Sequence, residues 1–141
     1  MVEKMALEEV LQRIYEKNPF INLLQMKMES GTGEGALFSM PIISGIHTNL
    51  HGNAHGGAIF SLADTSMGAS CAFHNKKVVT LDMNMNYLRP AFPDKMLYAQ
   101  SKIIHNGRTT LVIECEVRDE DKNFIAKSTG TFFVVGKFQE Q

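Results

Sequence analysis

The chain has 141 residues, 44% hydrophobic and 21% charged, with a formal net charge of −1, the composition of one globular domain with a substantial core. That balance supplies no bulk basic field for nucleic acid or an anionic membrane surface, and no run approaches the roughly 18 apolar residues of a membrane span. Neither partner is expected. The two cysteines, Cys71 and Cys115, have no CxxC spacing and read as reduced, buried thiols of a cytoplasmic protein.

In chain order, Met1 to Glu16 is an amphipathic helical stretch, part of an N-terminal helix expected over residues 1–17. Glu3, Lys4, Glu8, Glu9 and Arg13 interrupt its apolar residues, so it lacks the continuous apolar region of a signal peptide. Asn18-Pro19 ends it. Over Ile21 to Glu29, Leu24, Met26 and Met28 alternate with Gln25, Lys27 and Glu29, and a period of two predicts a strand. Gly31, Gly33 and Gly35 turn the chain, and Ala36 to Ile43 reads as the return strand. A polar loop, Ser44 to Asn53, leads into His51 to Phe73, HGNAHGGAIFSLADTSMGASCAF. This stretch reads as a Gly-rich loop running into a helix over 57–73, about 25 Å long.

Beyond it the pattern is that of long strands. Val79, Leu81, Met83, Met85 and Tyr87 alternate with Val78, Thr80, Asp82, Asn84 and Asn86, which predicts one apolar and one polar face. Arg89-Pro90 and Pro93 end that strand. Lys95 to Ile104 and Thr109 to Arg118 flank His105-Asn106-Gly107-Arg108, where Asn-Gly is a strong hairpin signal. A turn over 119–123 leads into a last strand, Phe124 to Val135. Two strands, a helix and four strands predict an α+β domain over 1–141, with a mainly antiparallel sheet and one central helix to wrap. Six strands leave open edges, and pairing of subunits is the expected solution.

Candidate chemistry starts at Asp64. The helix around it is apolar or small on nearly every side, which predicts burial at the centre of the domain. A carboxylate there must be hydrogen-bonded, paired or shifted in pKa. A solvated Asp is the plainer reading, but Leu62, Ala63, Thr65, Ser66 and Met67 leave it no charged face to share. At the helix start, the N–H groups of Gly56, Gly57 and Ala58 lack intrahelical partners and carry the positive end of the dipole. With no side chains at Gly56 and Gly57, an anion or a developing oxyanion can approach closely. His51 and His55 with Asp64 mimic a two-His-one-carboxylate metal set, but Gly52 and Gly56 disfavour a helix across that spacing, and no metal is expected. Ser61 and Ser66 lack a G-x-S-x-G elbow. Cys71, with only His74 as a basic neighbour, reads as structural.

Three segments in order, NLHGNAHGGAIFSLAD over 49–64, TLDMNMNYLRP over 80–90 and HNGRTT over 105–110, resemble the PaaI-like branch of the hotdog-fold acyl-CoA thioesterases. The resemblance spans about residues 20–136. It implies a curved antiparallel sheet wrapped around one central helix, in a homo-oligomer whose dimers commonly pair again and whose sites lie between subunits. It makes Asp64 general base or nucleophile, gives the backbone N–H of Gly56 or Gly57 the carbonyl oxygen, and has Asn49 orient substrate or water. Thr80 helps place the water, and His55 positions or polarises the carbonyl. Asn49 and the glycines would come from one subunit, Asp64 and Thr80 from its partner. The hairpin tip, Asn106, Gly107, Arg108, Thr109 and Thr110, would meet the phosphates or pantetheine of coenzyme A, with Tyr87 and Arg89 nearby.

Each assignment has a plainer rival. Thr80 is also a β-branched strand residue, Asn49 a loop former, His55 a source of a loop hydrogen bond, and Arg89 and Arg108 ordinary surface cations. The implied activity is hydrolysis of an acyl-CoA, aromatic such as phenylacetyl-CoA or medium- to long-chain fatty acyl, to free acid and coenzyme A. No cofactor is implied beyond the coenzyme A carried by the substrate. Nine methionines and nine phenylalanines suit an adaptable apolar pocket, although most must be core. One alternative is a non-catalytic hotdog module that binds acyl-CoA as a sensor or carrier, which need not keep Asp64. A purely structural assembly protein would bind no ligand.

Overall fold

The computed structural model describes residues 6–140; the first five residues of the expected N-terminal helix lie outside them. The elements are α1 (Leu7–Lys17), α2 (Pro19–Leu23), β1 (Lys27–Gly31), β2 (Ala36–Pro41), α3 (Gly56–Ala72), β3 (Lys77–Tyr87), β4 (Met96–Asn106), β5 (Thr110–Asp119) and β6 (Phe124–Gly136). The six strands form one sheet in the order β1-β2-β4-β5-β6-β3, and every neighbouring pair is antiparallel. The sheet curves around α3, the hotdog arrangement.

Period-two patterning explains the inner face. Along β5 buried positions alternate strictly with half-buried ones, sending Leu111, Ile113, Cys115 and Val117 inward, each at most 1% exposed. They join Leu62, Met67 and Cys71 of α3 and Leu97 and Ala99 of β4 in one core. Each fully buried Leu, Ile or Met contributes about 1.5–3 kcal/mol. A polar pin fixes the helix on the sheet: the Ser66 hydroxyl lies 2.8 Å from the Ala36 carbonyl and 3.0 Å from that of Ala99. Ser101 Oγ in turn donates to the Ser66 carbonyl at 3.0 Å.

Three expectations need correction. The strand expected over Ile21 to Glu29 begins only at Lys27, because Asn18-Pro19 starts a second helix as well as ending the first. Asn18 Oδ1 accepts the Ile21 N–H at 3.0 Å and Pro19 opens α2, which is cap and N1 chemistry. Secondly, the β4–β5 tip is displaced: His105 and Asn106 belong to β4, Asn106 pairs with Leu111, and Gly107 N–H donates to the Thr110 carbonyl at 2.9 Å. Thirdly, β3 does not keep one polar face. Thr80 pairs with Phe132 and Asp82 with Thr131, so Leu81 is an extra, unpaired residue, and such a bulge shifts the alternation.

Candidate active site

His55 ends the loop before α3 with extended backbone and caps the helix; its Nδ1 accepts the Gly57 N–H at 2.8 Å. The Ala58 and Ile59 N–H groups both turn back to the His55 carbonyl, at 3.0 and 3.2 Å. Gly56 N–H has no partner among the described residues, so of the two glycines it is the one with a free donor at the positive end of the helix. A Cβ would be a tight fit at both positions, each time against a side chain that must give by a few tenths of an ångström. A Cβ on Gly57 would lie 3.1 Å from His55 Nδ1, and one on Gly56 3.3 Å from the Tyr87 ring and hydroxyl. Tyr87 donates its hydroxyl to the Gly56 carbonyl at 2.8 Å.

Asn49 serves the loop: its Oδ1 accepts the N–H groups of His51 at 2.9 Å and Asn53 at 3.1 Å. It also lines a cavity of about 340 Å3 with Gly56, Ile59, Tyr87 and Arg89. His51 itself is exposed and outside that cavity. No group of three or more His, Cys, Asp or Glu side chains suited to a metal occurs among the described residues.

Asp64 is not enclosed as expected. The sheet leaves one stripe of α3 uncovered, Gly57, Phe60, Ser61, Asp64, Thr65 and Gly68, where Gly57 is exposed and the others half-buried. On that stripe Asp64 Oδ1 accepts the Thr80 hydroxyl at 2.8 Å, and Oδ2 has no partner among the described residues. A second cavity, about 370 Å3, opens beside the carboxylate, walled by Tyr15, Phe20, Ile21, Gly68, Val78 and Phe132. Sequence reasoning missed the part played by the α1–α2 hairpin in this wall; Asn18-Pro19 was its only local signal. Burial holds the Tyr15 hydroxyl far above the usual phenol range, with the nearby charges of Cys71 and Asp64 adding to it.

The two cavities share no lining residue. Gly56 and Asp64 lie on one helix eight residues apart, about 12 Å along its axis and about 80° around it. A single protomer therefore holds a free N–H donor in one place and a positioned carboxylate in another.

The hairpin tip lies apart from both. Asn106 Oδ1 and the Gly107 carbonyl accept from Lys76 Nζ at 2.6 and 2.9 Å, and the Thr109 carbonyl accepts the Val134 N–H at 2.8 Å. Asn106 borders a different cavity with Gly33, His74 and Lys102. Thr110 pairs with Phe133 and Phe133 with Val79, so the tip stands two strand spacings, about 10 Å, from the Thr80 end of β3. Arg108 and Thr109 are exposed there. Burial pushes the Cys71 thiol up to about 11 and the Cys115 thiol up to about 12, leaving both inert as nucleophiles at neutral pH.

A sequence model of the thioesterase superfamily matches residues 51–126, more than half of the chain. The chain belongs to the thioesterase superfamily. It is 31% identical over 88 residues to the acyl-coenzyme A thioesterase PaaI of Escherichia coli, a match covering 62% of this chain and 63% of that one. The solved structure of E. coli PaaI, from the phenylacetic acid degradation operon, superimposes with a TM-score of 0.86 at 26% identity, over 93% of this chain and 94% of that one. Family and fold together make this a PaaI-like hotdog thioesterase-superfamily protein. The medium/long-chain acyl-CoA thioesterase YigI of Salmonella typhimurium is 27% identical over 96 residues, 57% of this chain and 61% of that one. A hypothetical thioesterase of Streptococcus pneumoniae, solved with coenzyme A, superimposes with a TM-score of 0.77 at 28% identity, over 81% of this chain and 91% of that one. That protein is also solved with one Asp→Ala and, separately, one Thr→Ala substitution, sixteen positions apart. Asp64 and Thr80 are likewise sixteen apart.

Proposed function

We propose that this protein hydrolyses acyl-CoA thioesters at sites shared between two subunits. The observation that carries the reading is the division of the machinery: a free Gly56 N–H in one cavity, and the Thr80-held Asp64 carboxylate in another about 12 Å along the same helix. Strand β3 supplies the means of joining them. It is an edge strand of eleven residues with exposed Val79 and Leu81, and such an edge invites pairing with a second copy. A two-fold centred between Met83 and Asn84 sets Thr80 opposite the partner subunit's Tyr87. Since Thr80 holds Asp64 and Tyr87 holds Gly56 in each protomer, the same two-fold carries Asp64 toward the partner's Gly56, twice per dimer.

In such a site the thioester carbonyl oxygen accepts from Gly56 N–H, where the helix dipole stabilises the developing oxyanion. Thr80 holds one carboxylate oxygen of Asp64 and leaves Oδ2 open. Oδ2 takes a proton from water as the water oxygen bonds to the carbonyl carbon; collapse of the tetrahedral intermediate breaks the C–S bond, and the proton passes to the leaving sulfur. Direct attack by Oδ2 on the carbonyl carbon uses the same geometry: the C–S bond breaks to release the coenzyme A thiolate, which takes a proton from solvent, and water then opens the mixed anhydride to free acid and the Asp64 carboxylate. His55 acts as the cap that keeps the helix start in place. Arg89 beside the Gly56 cavity and Arg108 at the hairpin tip offer cations to the phosphates of coenzyme A. The apolar walls beside Asp64, Phe20, Ile21, Val78 and Phe132, suit an aromatic or aliphatic acyl group. The coenzyme A bound to the S. pneumoniae relative, the activities named for PaaI and YigI, and the matching Asp–Thr separation support this reading.

The test is release of free thiol from aromatic, short-, medium- and long-chain acyl-CoAs by the wild-type protein. Turnover lowered by about a hundredfold or more in Asp64→Asn is expected. Tight acyl-CoA binding without turnover would make the chain a sensor or carrier, and absence of binding would make it an assembly protein.

A further inference from the structure

His47 is buried at 0% exposure and touches neither cavity, yet four hydrogen bonds converge on it, one of them from its own N–H to the Ile43 carbonyl at 2.9 Å. Its Nδ1 accepts the Ile43 N–H at 3.0 Å. Its Nε2 lies 2.7 Å from the Leu24 carbonyl, and a carbonyl only accepts, so Nε2 carries the proton. Its own carbonyl accepts the His55 N–H at 2.7 Å. The two ring contacts dictate a neutral imidazole in one tautomer, and an imidazole this buried costs free energy unless both are made. A residue that only filled this space would be apolar.

The bonds bind the parts that matter. From His47 the chain makes a short hairpin, bridged between Thr48 and Ala54 and between the Asn49 N–H and the Asn53 carbonyl at 2.8 Å. That hairpin carries Asn49 and closes on His55, one residue before Gly56. The imidazole fastens its base on one side to the turn at Ile43 and on the other to Leu24, at the end of the helix whose Phe20 and Ile21 wall the Asp64 cavity.

We infer that His47 is a positioning residue: through the base of this hairpin it sets the direction of the Gly56 N–H. The inference rests on the reading of Gly56 as the oxyanion donor. His47→Phe keeps the ring and removes both ring hydrogen bonds. At a temperature where the variant is folded and assembled, kcat should fall by about tenfold or more, the scale of a misaligned catalytic group, with KM changed less than about twofold. His47→Gln, which can return an amide donor to Leu24, should recover part of the loss. In a Gly56→Pro background, which lacks the N–H altogether, His47→Phe should cost little more, because coupled residues are non-additive. Imidazole nitrogen NMR of the wild-type protein should show the Nε2–H tautomer, whatever the variants do. Wild-type kcat in His47→Phe, fully multiplicative losses in the double variant, or the opposite tautomer would overturn the inference. Full turnover by Gly56→Pro itself would instead remove the oxyanion reading on which it stands.

Discussion

Thr80 and Tyr87 are seven residues apart on β3 and still reach the same helix, Thr80 Oγ1 at 2.8 Å from Asp64 Oδ1 and Tyr87 Oη at 2.8 Å from the Gly56 carbonyl. An odd separation on a regular strand sends two side chains to opposite faces. The unpaired Leu81 restores the parity. Deleting Leu81 should therefore leave the core strands intact but turn Thr80 or Tyr87 away from α3. The expected outcome is an unchanged far-UV spectrum with kcat lowered by about a hundredfold, the scale of a lost general base. Wild-type turnover in the deletion variant would show that the bulge has no part in the site.

Asp64→Asn keeps size and hydrogen bonding but removes the basic oxygen, and turnover should fall by about a hundredfold or more, with coenzyme A affinity little changed by calorimetry. Thr80→Val keeps the β-branch and removes the donor to Asp64. A loss of about tenfold is expected, since a hydrogen bond to a charged group contributes about 1.5–3 kcal/mol. Unchanged kcat in both would remove the Asp64–Thr80 pair from the chemistry.

Gly68 follows Asp64 by one helical turn, and a Cβ there would meet nothing closer than the Phe132 ring at 3.8 Å. Gly68→Ala should thus stabilise the fold by about 1 kcal/mol through helix propensity, read from urea unfolding. Gly68→Leu should narrow the cavity and shift kcat/KM against the bulkiest acyl groups by about tenfold or more, the scale of small steric changes in an apolar pocket. A uniform loss across all acyl groups would mean that the acyl chain lies elsewhere.

The thiols give a pH dependence. Burial raises Cys71 from 9.0 to about 11 and Cys115 from 9.0 to about 12, so between about pH 9 and 11 the folded chain keeps protons that the unfolded chain releases. Stability is then greatest below pH 9 and falls as pH rises through this window, by at most about 1.4 kcal/mol per pH unit for each thiol. Urea unfolding at pH 8 and 10.5 checks this against Cys71→Ala and Cys115→Ala, each of which should flatten the slope. Rapid labelling of the native thiols at pH 8 would contradict their burial.

Long, strongly periodic elements were legible: α3 and the strands beyond it follow from apolar spacing and turn residues, and apart from the bulge inside β3 only their ends moved. Residues 18–26 were not, because Asn18-Pro19 stops one helix and caps another while Leu24 to Glu29 carries a strand's alternation. The even polar face of β3 failed at Leu81, since one extra residue leaves no mark on composition. Asp64 stood out as the one carboxylate on an apolar helix, whereas its hydrogen bond with Thr80 was not foreseen, since likeness to a family gave Thr80 only the placing of water. His47 gave no signal, because its partner Leu24 lies 23 residues away and a lone histidine in a polar loop has no periodicity to join. Gly57 looked equivalent to Gly56 until the His55 side chain was found on its N–H.

The account turns on one claim, that Asp64 of one subunit works with Gly56 of another. Gly56→Pro deletes the donor at the first helical position, where proline is favoured and His55 already has the extended backbone that precedes it. Mixing this variant with Asp64→Asn and refolding them together should yield mixed dimers in which one site carries both defects and the other neither. With equal, random two-fold assembly half the dimers are mixed and one of two sites works, so about a quarter of wild-type activity should return. Tagged co-purification verifies the exchange. Mixed dimers as inactive as their parents would contradict the shared site and return Asp64 to its own chain or to no catalytic role.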